Sequence, residues 1–330
     1  DADRCFTIFE GMIAKLREQG RASEDIVVDF TRGTKAMSAA LLLAAAYHEL
    51  PKIRYIGGKR GEDGLVAPGA EKIQETNTFH IADRQRLSHV TMFLRHRAFA
   101  AALLMLPRSS PFGALNPKHD LFGQLRPILE YYAAWDRLDY RSAGRVKLPS
   151  AAMEEGGDFF PKASFQAWVG SLAADMPSGE KPRIQCLRRL AVDLLANGER
   201  RIRAQQHCSA LIRANRMVEL LIEVRYLKHF NAPLPKSKGE DGRQERSMWD
   251  ILLALPPSDA LYRGLKSLFG KIRDRRNDDL LLHGYATNTT AEELKEWYPE
   301  LKDLIVRDAG GECPVREWLE TAGLGWMPGA

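Results

Sequence analysis

The stretch from Asp25 to Ile56 constrains this chain more than any other. Asp25-Ile26-Val27-Val28-Asp29-Phe30 is a short β-branched run, the pattern of a buried strand. It enters the polar turn Thr31-Arg32-Gly33-Thr34-Lys35 and then a helical segment from Ala36 to Glu49. Pro51 marks the break, and Lys52-Ile53-Arg54-Tyr55-Ile56 is a second strand that stops at Gly57-Gly58. Strand, turn, helix and strand form a βαβ unit, which implies a parallel sheet and a right-handed crossover. Upstream, Phe6, Phe9, Ile13 and Leu16 recur at helical spacing over residues 3–19. Downstream, Gly61, Gly64, Pro68 and Gly69 mark residues 59–75 as a small hairpin. A parallel sheet of two strands cannot bury both faces. The expectation is therefore that the chain begins inside a domain, or that another chain completes the sheet.

From about residue 79 the pattern is helical almost to the end. One long helix is expected over 83–106 and one or two over 119–147. Residues 149–183, rich in Gly, Pro and Ser, read as a loop with a short helix around Phe165 to Leu172. Further helices are expected at 184–196, 199–230, 247–254, 258–282 and 291–305. The polar run 233–246 between them reads as mobile. The expected organisation is an α/β part over 1–78, a helical connecting region over 79–183 and a helical domain over 184–330.

Composition excludes several classes. The 330 residues are long enough for about two domains, and a net charge of +5 permits a nucleic-acid partner without demanding one. Cys5, Cys186, Cys208 and Cys313 stand alone with no CxxC pair, which argues against a structural zinc site and for a reducing cytoplasm. No signal-peptide pattern opens the sequence, and the apolar stretch Met37 to Tyr47 is too short to span a bilayer.

Two constellations carry chemistry. The turn Thr31 to Lys35 lies at the carboxyl end of a strand and opens a helix, where ligands of parallel sheets bind. Its backbone N–H groups, the two Thr hydroxyls and Lys35 suit a phosphate; equally, it suits a plain βα connection with Asp29 as helix cap. The second is Arg276-Asn277-Asp278-Asp279-Leu280-Leu281-Leu282-His283-Gly284. Arg276 and His283, seven apart, would share one face of a continuous helix. Arg fits a phosphate bidentately and His serves proton transfer, the two needs of RNA cleavage without a metal. Asp136 with Asp139, and Asp278 with Asp279, read as helix salt bridges and caps rather than metal sites. The histidines show no HxH or HExxH arrangement, no Ser sits in a GxSxG elbow, and no aromatic stacking platform is evident.

Together these motifs resemble the CARF–HEPN ribonucleases of type III CRISPR systems. Asp29-Phe30-Thr31-Arg32-Gly33-Thr34-Lys35-Ala36-Met37 is similar to the sensor turn of that family, with Arg32 in place of its first Gly. Leu129 to Ala143 is similar to its Trp-Asp helix, and Asn215-Arg216-Met217-Val218-Glu219-Leu220 to the Arg–Glu helix of its HEPN core. Arg276-Asn277 to His283-Gly284 is similar to its active-site helix, with Asp279 in place of Ser.

The resemblance implies a partial Rossmann-like CARF sensor followed by an all-α HEPN domain. It implies a metal-independent single-stranded RNA endoribonuclease with no cofactor, activated by cyclic oligoadenylate bound at Thr31, Arg32, Gly33, Thr34 and Lys35. Arg276, Asn277 and His283 would be catalytic, with Arg216 and Glu219 a buried pair positioning the active helix. The site would lie at a homodimer interface and leave 2′,3′-cyclic phosphate ends. Two rivals are a non-catalytic nucleotide-sensing dimerisation module and an enzyme that opens the cyclic activator.

Overall fold

The computed structural model describes residues 1–60, 66–106, 121–149, 157–174, 184–235, 247–279, 289–325 and 327. They cluster into two compact units, Asp1–Leu129 and Glu130–Ala330.

In the first unit, α1 (Ala2–Glu18) precedes β1 (Val27–Asp29), α2 (Lys35–Tyr47), β2 (Lys52–Arg60) and β3 (Val66–Thr76). β1 pairs parallel with β2, with Val28 opposite Ile53, as the βαβ pattern requires. β2 continues past Gly57-Gly58 and pairs antiparallel with β3, Tyr55 opposite Gln74. The expected two-stranded sheet is therefore a mixed three-stranded one, ordered β1-β2-β3, and the hairpin uses β2 itself as its first arm. Ile13, Ile26, Val28, Ala44, Ala45, Leu50 and Ile53 form one apolar core, flanked by Phe6, Phe9, Phe30, Leu41 and Leu42. Thus α1 and α2 bury one set of strand residues, while Val27, Ile56 and Ile73 on the strands stay exposed.

The helix expected over 83–106 is two helices, α3 (Phe79–Arg95) and α4 (Phe99–Met105). Arg97 adopts φ 55°, and the Arg97 and Ala98 amides donate to Leu94 O and Phe93 O. That is a Schellman ending built on a non-glycine residue, so no breaker announces it. α5 (Leu121–Asp136) carries the division between units, and α6 (Tyr140–Arg145) and α7 (Ala163–Ala174) follow.

The second unit is a helical bundle centred on α8 (Ile184–Arg203) and α9 (His207–Phe230), which pack along each other. Asn197-Gly198 does not end a helix as expected: α8 runs through it to Arg203, and Gln205 just beyond takes φ 57°. Gly198 is required by packing, since a Cβ there would lie 1.8 Å from the Tyr298 hydroxyl oxygen. Around this pair lie α10 (Met248–Ala254), α11 (Tyr262–Asp278), α12 (Ala291–Ala309) and α13 (Val315–Ala322), the last beyond any element read from sequence.

Buried polar groups tie the bundle together. Asp193 accepts from Trp135 Nε1 (2.9 Å), Trp168 Nε1 (3.0 Å) and the Tyr140 hydroxyl (2.8 Å). Burial drives the Asp193 carboxyl above its ordinary value, against the pull of these donors and of Arg200. Arg188, buried in α8, meets Asp308 of α12 at 2.7 Å, and Arg225 of α9 reaches the same carboxylate at 3.1 Å. Asp136 pairs with Arg200 at 2.9 Å and with Arg201, while Asp139 caps α6 by accepting from the Ser142 amide at 3.1 Å. Asp136 and Asp139 thus make the salt bridge and cap expected of them.

Candidate active-site cleft and sensor turn

A cleft of about 790 Å³ opens on the bundle, lined among others by Glu219 of α9, Met248 and Trp249 of α10, and Arg273, Arg276 and Asn277 of α11. Each helix delivers its residue for a local reason. Ser247 starts α10 with a capping box: its hydroxyl oxygen accepts from the Asp250 amide at 3.2 Å, and the Asp250 carboxylate accepts from the Ser247 amide at 2.8 Å. α11 buries Leu265, Leu268, Phe269 and Ile272, which turns Arg273, Arg276 and Asn277 away from the core. Residues at i, i+3 and i+4 neighbour one another on a helix surface.

Arg276 donates from Nη2 and Nε to Asn277 Oδ1, at 3.2 and 3.4 Å. Its Nη1 lies 3.9 Å from Glu219 Oε1. Glu219 is itself held by Asn215 Nδ2 at 2.6 Å and Arg216 Nη1 at 3.0 Å. Arg216 and Glu219 pair as expected, but not as a buried pair: the Arg216 side chain is 48% exposed. The i,i+3 spacing along α9 leaves Arg216 on the solvent side, and only Glu219 faces Arg276. One turn further, burial raises the Glu223 carboxyl; Arg216 opposes that shift and Glu219 adds to it.

The helix expected over 258–282 starts at Tyr262 and ends at Asp278. Asp279 is extended (φ −80°, ψ 134°) and fully buried, so the continuous helix face expected to join Arg276 to His283 is interrupted there. Asp279 is the C-cap of α11, its amide donating to Arg276 O at 3.3 Å, and its side chain is anchored in the bundle. The Asp279 carboxylate accepts from the Thr289 hydroxyl at 3.1 Å and the Cys208 thiol at 3.2 Å. Burial first, and then Asp279, push the Cys208 thiol up. His283 lies outside the described residues, as does the run 236–246.

Two cleft residues escaped the sequence reading. The Arg273 guanidinium carbon lies 4.5 Å from the centre of the Trp249 ring. Arg273 precedes Asn277 by four, a spacing that signals a shared helix face. Trp249 carries no such signal, because α9 and α10 are brought to α11 by tertiary packing alone.

In the first unit, Thr31 lines a smaller cavity of about 480 Å³ with Phe30, Tyr55, Gly57, Gly58 and Gln74. The Thr31 amide and hydroxyl both donate to Asp29 Oδ1, at 2.8 and 2.5 Å, and the Thr31 oxygen accepts from the Ile56 amide at 2.8 Å. These Thr31 donors hold the Asp29 carboxyl below its ordinary value. Thr34, not Asp29, caps α2, accepting from the Met37 amide at 3.3 Å. Both threonine hydroxyls thus have structural partners. Gly33 takes φ 123°, a conformation that favours glycine, and Arg32 and Lys35 stand exposed beside it at the helix N-terminus. A helix N-terminus with two flanking cations suits an anion.

No protein-family model matches the chain, and no curated protein matches it in sequence. Among solved structures, Enterococcus italicus Csm6 bound to cyclic hexa-2′-fluoro-hexa-dAMP matches 100% of this chain and 80% of its own, at 13% identity and a TM-score of 0.59. The chain therefore shares that fold: a small α/β part followed by a helical part, the architecture expected from the CARF–HEPN resemblance. Among the described residues, no helix is long and apolar enough to cross a membrane.

Proposed function

We propose that this protein is a cytoplasmic single-stranded RNA endoribonuclease of the CARF–HEPN kind, switched on by cyclic oligoadenylate in antiviral defence. The observation that carries the reading is the pairing of Arg276 with Asn277 in the cleft, with Glu219 reaching across from α9. A guanidinium oriented by an amide and a carboxylate presents its remaining N–H groups to a phosphodiester. The ligand of the Csm6 structure supports the sensor half of the reading, since a cyclic oligonucleotide presents phosphates that Arg32, Lys35 and the start of α2 suit.

In the proposed reaction the ribose 2′-OH attacks the adjacent phosphorus and the bond to the 5′-oxygen breaks. One strand leaves with a 2′,3′-cyclic phosphate and the other with a 5′-OH. Arg276 neutralises the charge that builds on the non-bridging oxygens, and Asn277 fixes the plane of its guanidinium. His283 handles the proton steps, or steadies the reacting 2′-oxygen. One His serves both proton steps poorly, so two copies meeting at a two-fold axis would complete the site. No metal has a role in this scheme.

The test is activator-stimulated cleavage of a fluorescent RNA. His283→Ala should lose about 10²–10⁴-fold in rate, the worth of a proton-transfer group. Arg276→Lys should also be severe, because an ammonium cannot reproduce the planar fork. Wild-type rates in both variants would return the cleft to a binding role.

A further inference from the structure

We infer that Arg273 and Trp249 form a nucleobase-stacking subsite in the cleft, one helical turn from the phosphate-binding pair Arg276 and Asn277. The inference rests on the reading of this cleft as the RNA site. The Arg273 guanidinium carbon sits 4.5 Å from the Trp249 ring centre, within the range of a cation–π contact. Phe269 packs against the same indole, with ring centroids 5.9 Å apart, and is itself 3% exposed. The indole therefore rests on the bundle core, and Arg273 rests on the indole. Asp274 holds the guanidinium through Nε (3.1 Å) and Nη2 (2.9 Å). Arg273 remains one-third exposed and lines the cleft.

These contacts divide the labour between two arginines. Arg273 has a carboxylate at hydrogen-bond distance, which accepts from its Nε and Nη2 and offsets its charge. What it offers the cleft is a flat, immobilised π-surface. Arg276 has its nearest cleft carboxylate at 3.9 Å and keeps its charge for an anion. Unpaired RNA bases stack on aromatic side chains and on arginine planes, and this tolerates sequence because every base has a π-face. Positions 273 and 276–277 are neighbours on one helix face, the separation at which one nucleotide can place its phosphate on one and its base on the other. The subsite would select unpaired, base-bearing strands over duplex, whose bases are already stacked.

The experiment measures binding of the full chain to two fluorescein-labelled probes of equal length by anisotropy. One is a single-stranded oligonucleotide with 2′-fluoro riboses, which cannot be cut. The other is an abasic phosphodiester chain. Wild type should bind the base-bearing probe about tenfold tighter, the scale of one stacking contact. Arg273→Lys keeps the charge and loses the plane, so its affinity for the abasic chain should stay and the base-dependent advantage should collapse. Trp249→Leu, which removes the indole behind the guanidinium, should reduce that advantage too. Equal wild-type affinity for both probes, or a full advantage retained in Arg273→Lys, overturns the subsite. If wild type shows the advantage and Arg273→Lys loses it while RNA is never cleaved, the subsite stands and the nuclease reading falls. Cleavage without any base-dependent advantage does the reverse.

Discussion

Replacing Gly198 by alanine sets two effects of opposite sign against each other. Gly198 lies inside α8, where Gly→Ala alone raises stability by about 1 kcal/mol. Here the new methyl carbon would fall 1.8 Å from Tyr298 Oη and 2.5 Å from Cζ. Tyr298 has no room to retreat: it is 4% exposed, and its hydroxyl donates to Ala210 O at 2.9 Å. Overpacking costs about 1–3 kcal/mol and the lost hydrogen bond about 0.5–1.5. The sum, less the propensity gain, is a net loss of about 2 kcal/mol. For a unit of this size that lowers the melting temperature by about 4–8 °C. Urea unfolding followed by tryptophan fluorescence should give the same free energy. Adding Tyr298→Phe removes the oxygen in closest conflict, so the double variant should be more stable than the two single losses predict. A Gly198→Ala protein as stable as wild type, or more so, would mean that Tyr298 yields to the methyl group and the close contact carries no cost.

Three other outcomes follow from the same contacts. Asp193→Ala strands three buried donors, on Trp135, Trp168 and Tyr140, and should cost roughly 4 kcal/mol or more, read as a thermal melt; a loss below about 1 would contradict the hub. Burial raises the Asp259 carboxyl, but donation from His229, Arg225 and the Leu261 amide outweighs it, so the folded value lies below the ordinary 3.8. That stabilisation is complete above about pH 3.8 and is lost as pH falls through the folded value; Asp259→Asn should therefore flatten the acid limb of a stability–pH curve, and an unchanged limb would contradict it. Lys35→Ala should weaken binding of cyclic tetra- or hexaadenylate about tenfold by calorimetry, whereas unchanged affinity returns the turn to a plain βα connection.

Much of the architecture was legible because it is written in local terms. The βαβ unit follows from Ile26-Val27-Val28, the turn at Gly33 and the strand after Pro51, and all three survive in the fold. The boundaries that moved did so for non-local or unmarked reasons. The gap expected between the helices at 184–196 and 199–230 is helical, and Gly198 within it is a packing contact with a residue one hundred positions away. Arg97 and Gln205 end helices in the left-handed conformation without the glycine that usually signals it. In the site, the Arg276–Asn277 contact joins sequence neighbours and was readable. The depth of Asp279 depends on Cys208 and Thr289, and the stacked pair depends on the docking of α10 against α11. Neither is encoded in spacing along one segment.

Under the proposed function, the chain cuts RNA through the ribose 2′-OH. The most direct measurement is activator-stimulated cleavage of a labelled RNA in EDTA, beside the same strand carrying a single 2′-deoxyribose at the mapped cut site. The RNA should yield a 2′,3′-cyclic phosphate end, and the strand should stay intact at the deoxy position. Equal cutting of both strands, or activity abolished by the chelator, would contradict the proposed function.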